Sequence, residues 1–315
     1  MLNRRHLRVK VLQTLYAYHQ SENKSIKAFE KGLLQNVDEV YEMYIWMLSL
    51  FIEVADYSIR DAEERANKYR PSEEDLNASI KLNTNKFIVA LRDNPDYQSA
   101  MKKYKVSWQF DPEISRTIFN SLKASPEYDA YIHQEDHSIK AEKDIIKFIF
   151  KKLILKSPAI EQVFEEQFIN WPVDKEVLQA LIAKTFKNFA SENPRENKLA
   201  ELSPNWAEDR AFILDLFSKT IVFDEQYQAL ISAKTKNWEA DRIAMMDILL
   251  MKMAVVELVN FSSIPVKVTI NEYIEISKEF STPKSNSFIN GILDKIYLEL
   301  KSEGKIRKFG RGLVE

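Results

Sequence analysis

Between residues 243 and 259 the chain is apolar almost without interruption, broken only by Asp247, Lys252 and Glu257. At 3.6 residues per helical turn, a spacing of five puts these three charges on different sides. The pattern predicts a helix that must be covered nearly all round. It excludes a membrane span, which needs about 18 or more apolar residues with few or no charges. The stretch 238–261 is therefore expected as the central helix of a bundle.

The remaining segments repeat a helical period. RRHLRVKVLQTLYAYHQ places Arg4, Arg8, Val11 and Leu15 on one stripe, apolar except where its amino end turns basic. A short amphipathic helix with Phe29, Leu33 and Leu34 is expected next, then a longer one through Tyr44, Met47, Leu48, Phe51, Ile52 and Ala55. Ser72 with Asp75 three residues on reads as a new helix start. Residues 95–126 are more polar, with Trp108, Phe110 and Phe119 as local anchors, and are expected as loop with short helices. Helical patterns over 138–155, 158–169 and 173–190 form a second apolar cluster. The polar stretch 191–206 reads as a linker, after which FILDLFSKTIVFDEQYQALI resumes the helical period.

Composition agrees with an all-α chain. There are only five glycines, three of them among the last twelve residues. Seven of the ten prolines follow Asn, Asp, Ser or Thr, the order of a capping residue and a first-turn proline. With no cysteine there is no disulfide framework, thiolate metal site or cysteine nucleophile. No signal-peptide pattern follows the basic start, so a cytoplasmic protein is expected.

The net charge of −2 gives no general affinity for polyanions, but its distribution is uneven. No acidic residue occurs before Glu22, while Arg4, Arg5, Arg8 and Lys10 are all basic. A helix start carrying guanidinium groups suits phosphate oxygens or a partner's carboxylates. His133 and His137 have a spacing compatible with one metal ion, but no third ligand is evident, and a solvated turn is the expectation. The methionines at 245, 246, 251 and 253 read as core filler. The segment 303–315 is expected as a flexible basic tail.

Four features in chain order resemble the NusB family of transcription antitermination factors. They are the arginine-rich start with Gln13, Leu15 and Tyr16; the Glu257–Leu258 pair; PVKVTINE at 265–272; and Phe288–Ile289–Asn290–Gly291 with Asp294 and Lys295. The resemblance covers about residues 3–20 and 207–300. It implies two packed three-helix units that bind single-stranded boxA-type RNA jointly with the ribosomal protein NusE, in support of ribosomal RNA transcription. The expected organisation is a NusB-like domain from 1–30 and 207–302, an inserted helical domain over 31–190, the linker 191–206 and the tail 303–315. The loop 281–287, STPKSNS, lacks the glycine common in the family.

Carried over to this chain, the resemblance implies RNA contacts by Arg4, Arg5 and Arg8 and by the ring of Phe288, and NusE contacts by Tyr16 and Glu257. Lys10, Lys267 and Asn290 join the RNA set by proximity. Further partners are the transcription elongation complex but no membrane. A related helical module occurs in ribosomal RNA cytosine methyltransferases; without a cysteine or a glycine-rich cofactor loop, neither an enzyme nor a cofactor is expected here. The alternative is a helical adaptor that keeps the NusE contact without RNA.

Overall fold

The computed structural model describes residues 2–109, 111–235 and 243–313. All regular elements among them are helical. In chain order they are α1 (Arg4–Gln20), α2 (Ile26–Ala66), α3 (Glu73–Leu76), α4 (Lys86–Arg92), α5 (Pro95–Tyr104), α6 (Pro112–Lys123), α7 (Pro126–His133) and α8 (Ile139–Phe148). A π-helical turn, Ile149–Ile154, extends α8. There follow α9 (Pro158–Gln167), α10 (Trp171–Asn188), α11 (Trp206–Val222), α12 (Asp224–Lys234), α13 (Met245–Asn260), α14 (Val266–Phe280) and α15 (Ser285–Ser302). No described helix is long and apolar enough to cross a membrane.

Local chemistry explains many boundaries. Asn94, Ser125 and Ser157 accept a backbone N–H and are each followed by a first-turn proline. Ser72 and Asp75 form the reciprocal capping box that their spacing predicts. The two helices expected between Phe29 and Ala55 are one helix, α2, because nothing between them supplies a proline or cap. Phe110 and residues 238–242, which the sequence places among the anchors and in the central helix, lie outside the described residues.

The chain divides into two compact units, residues 38–202 in one and 2–37 with 203–315 in the other. The first is held by aromatic packing. Phe51 stacks on Phe186 at 6.0 Å and meets Phe150 edge-on at 5.9 Å. The Tyr44 hydroxyl is shared between Thr185 and the Ala200 N–H. Part of the stretch expected as a linker is fastened to this unit, since Asn94 Nδ2 donates to the carbonyls of Pro194 and Asn197. His133 turns to Asp129 and His137 to Glu142.

In the second unit α13 is the hub, touching α1, α11, α12, α14 and α15. Every residue from Leu249 to Leu258 is buried. Its three charged side chains are all partnered: Asp247 accepts from Ser281 and Ser285, Lys252 Nζ meets Asp224 at 2.6 Å, and Glu257 pairs with Arg8. Unpaired, each would carry a large burial cost.

Candidate nucleic-acid interface

Asn3 caps α1 by accepting the His6 N–H, and no acidic residue occupies the first turn. Arg4 and Arg5 therefore leave the helix at its open end. Arg4 pairs with Glu208 and Asp209 in the first turn of α11, and its guanidinium lies 4.4 Å from the centre of the Phe212 ring. Arg5 makes a two-pronged bond to Glu272, at 2.9 and 3.1 Å. That bond comes first among the causes holding its guanidinium pKa above the usual value. The two side chains keep 34% and 39% of their surface exposed, enough for a second ligand to reach them.

Arg8 is different. Its guanidinium is bonded at 2.8 and 2.7 Å to both oxygens of Glu257, and both side chains are buried. Thr269 and Tyr273 donate their hydroxyls to the same carboxylate. Burial is the largest single influence and works against the Arg8 charge, but the bond to Glu257, the charge of Glu257 and those of Tyr273 and Glu272 together outweigh it and raise its pKa. Burial, with Glu257 nearby, also pushes the Tyr273 phenol well up.

Arg8, expected among the RNA contacts, and Glu257, expected to meet NusE, are thus buried against each other. They clamp α1 to α13, with Thr269 and Tyr273 of α14. Lys10, also expected at the RNA surface, is buried. Tyr16, Lys267 and Asn290 are exposed, and Phe288 is half-buried in the first turn of α15.

Nor do the arginines and Phe288 adjoin. Arg8 meets Glu257 near the end of α13, whereas Ser285, one turn before Phe288, meets Asp247 near its start. Ten residues of helix separate those levels by about 15 Å.

Arg4 and Arg5 instead open on a cleft of about 1350 Å³, lined also by Phe212, Phe261, Val268 and Phe309. The aromatic lining was missed from sequence because its rings come from three distant segments. Glu208 and Asp209 offered a faint signal only as the acidic first turn that any helix favours.

The carboxyl-terminal segment forms one side of this cleft, and it is fastened rather than free. Gly304, at φ 66°, ends α15: its N–H donates to Lys301 O and that of Lys305 to Leu300 O, turning the chain back. Lys308 Nζ then donates to the carbonyls of Glu257 and Phe261, capping α13, and the Phe309 N–H donates to Ser262 O at 3.1 Å. At Gly312 a Cβ would stand 2.2 Å from Ser262 O, so glycine is required for this approach.

Burial pushes the Lys308 ammonium down to about 8 from the usual 10.5, against the opposing effect of Glu257. Between these values the unfolded chain binds more protons, so this group makes stability rise with pH across that window. Urea unfolding at about pH 8 and about pH 10 is expected to show a rise in the wild type that Lys308→Met lacks.

The NusB family model matches residues 175–298. A Salinibacter ruber protein named transcription antitermination protein NusB is 36% identical over 156 residues, 50% of this chain and 89% of the relative. The chain belongs to the NusB family. Two further relatives carry the same name. One, from Geobacter sulfurreducens, is 37% identical over 127 residues, 40% of this chain and 92% of the relative. The other, from Chloroherpeton thalassium, is 43% identical over 104 residues, 33% and 49% of the two chains. No solved structure matches. The family is one of antitermination factors rather than enzymes. The family match begins inside α10, within the stretch expected as the insertion.

Proposed function

We propose that this NusB-family protein is an RNA-binding antitermination factor that takes boxA-like single-stranded RNA together with NusE and supports ribosomal RNA transcription. The observation that carries the RNA part is the pair of half-exposed guanidiniums, Arg4 and Arg5, at the rim of an aromatic cleft. Glu208, Asp209 and Glu272 hold them extended, so little side-chain freedom remains to be lost on binding. A phosphate, though tetrahedral, presents two oxygens to the planar guanidinium fork as a carboxylate does, and so can take a carboxylate's place.

Lys267, at the start of α14, lies toward the same end of the helices. Phe288 and Asn290 lie about 15 Å along α13, a separation a strand of several nucleotides spans. The NusE contact is assigned to exposed Tyr16. Arg8 and Glu257 serve by fixing α1, and the compact unit of residues 38–202 is read as an accessory domain.

Combined Arg4→Ala and Arg5→Ala is expected to weaken RNA binding and to lower its log–log salt slope by about 1.4, two phosphate contacts at roughly 0.7 each. The three ion pairs of these arginines are partly exposed and worth at most about 1 kcal/mol each, so folding survives. Fluorescence anisotropy over a salt series checks this, and an unchanged slope rejects the assignment.

The adaptor reading has one observation in its favour: Arg4, Arg5 and Arg8 are all paired to carboxylates already. Pull-downs of NusE and of RNA, run side by side, separate the two readings. Capture of NusE alone establishes the adaptor.

A further inference from the structure

We infer that the carboxyl-terminal segment 305–313 is a fixed wall of the RNA cleft, and that Phe309 is a stacking platform for one unpaired base held beside Arg4 and Arg5. The inference rests on the RNA reading above but adds a site outside the residues that the family model matches, 175–298.

Three observations converge. The first is the ring itself. Phe309 is 63% exposed although its own backbone is pinned to Ser262, so an apolar face is held in water at a fixed place on the cleft. An aromatic ring needed only to anchor the segment would be turned inward, as Phe212 is in the same unit. Every base has a π-face, and base–aromatic stacking tolerates any sequence.

The second is charge. From Gly304 to Val314 the chain has Lys305, Arg307, Lys308 and Arg311 and no acidic residue. Arg307 is exposed. Lys305 is paired with Glu303 and Lys308 is spent on α13, so Arg307 is an exposed cation that the segment adds beside a cleft whose own Arg4 and Arg5 are held by Glu208, Asp209 and Glu272. Two guanidiniums about a third exposed at the rim, with an exposed aromatic ring on the same cleft, suit the phosphates and bases of a single RNA strand as the occupant.

The third is the fastening. The turn at Gly304, the Lys308 cap on α13, the Phe309 bond and the close approach of Gly312 hold successive points of the segment. A loose tail needs none of them. Together they place the ring without the ordering cost that a free arm would bear on binding. The nucleotide fits as a unit: base on Phe309, phosphate to the guanidiniums of Arg4 or Arg5, with Phe212 and Phe261 behind. The volume, about 1350 Å³, exceeds what one nucleotide needs, leaving the strand room to enter and leave.

The test uses the full chain and a labelled single-stranded RNA of about twelve nucleotides carrying a boxA-like element, followed by anisotropy. Phe309→Ala is expected to weaken binding about five- to a hundredfold, the loss of one stacked base, with the salt slope unchanged because no phosphate contact is removed. Phe309→Trp is expected to restore it. Gly312→Val, which forces the segment off Ser262, is expected to weaken binding by a similar factor even though the ring is retained. Photo-crosslinking of 5-iodouracil RNA to peptides containing Phe309 is a direct readout.

Unchanged affinity in Phe309→Ala, alongside loss in the Arg4/Arg5 double variant, overturns the wall and leaves the RNA reading standing. A wild-type chain that binds no such RNA overturns the RNA reading itself. Weakened capture of NusE with unaltered RNA affinity makes the segment a protein contact, which also overturns the proposal.

Discussion

Glu257→Ala is expected to destabilise the second unit by about 3–5 kcal/mol, because it leaves the buried Arg8 guanidinium with Glu272, at 3.6 Å, in place of a two-pronged bond. The loss exceeds that of one bond, since Thr269 and Tyr273 lose their acceptor at the same stroke. Urea unfolding measures it. Arg8→Met combined with Glu257→Leu is expected to recover part of the loss, since no charge is then buried. It recovers only part, because the two hydroxyls still lack a partner. A double variant as unstable as Glu257→Ala would show that the buried charge is not the cause.

In the other unit, Phe51→Ala is expected to cost about 3–5 kcal/mol. Phe51 is buried, and its ring bridges Phe150 and Phe186, from the π-turn and α10. Removing it opens a cavity between elements far apart in sequence. Trp46, Trp108 and Trp171 are buried in the same unit, so tryptophan fluorescence during urea unfolding follows the loss. A midpoint within about 0.5 kcal/mol of wild type would mean that the ring is not part of that core.

Much of this architecture is legible in the order of residues. An apolar run with three isolated charges can only be a covered helix, and α13 is one. Ser72 with Asp75, and prolines after capping residues, act over three or four positions, so their spacing predicts their geometry. The NusB likeness was readable because its motifs keep their chain order.

The site was less legible. A basic stripe at the amino end looks the same whether its arginines face solvent or a carboxylate 249 residues away, as Arg8 does. Glu257 looked available for the same reason, and no local pattern tells that Arg8 and the start of α15 meet α13 near opposite ends. The tail reads as loose by composition. The contacts that fasten it run to Ser262 and Phe261, which no local pattern connects to Gly312 or Lys308.

The cleft draws its rim from Asn3 near one extreme of the sequence and Gly310 near the other. On the RNA reading proposed above, an acidic purification handle fused at either extreme would compete with RNA there for the same guanidiniums. Affinities are best measured after the handle is cleaved, or with it inserted in an exposed turn of the 38–202 unit such as the one around Tyr69, which is 95% exposed.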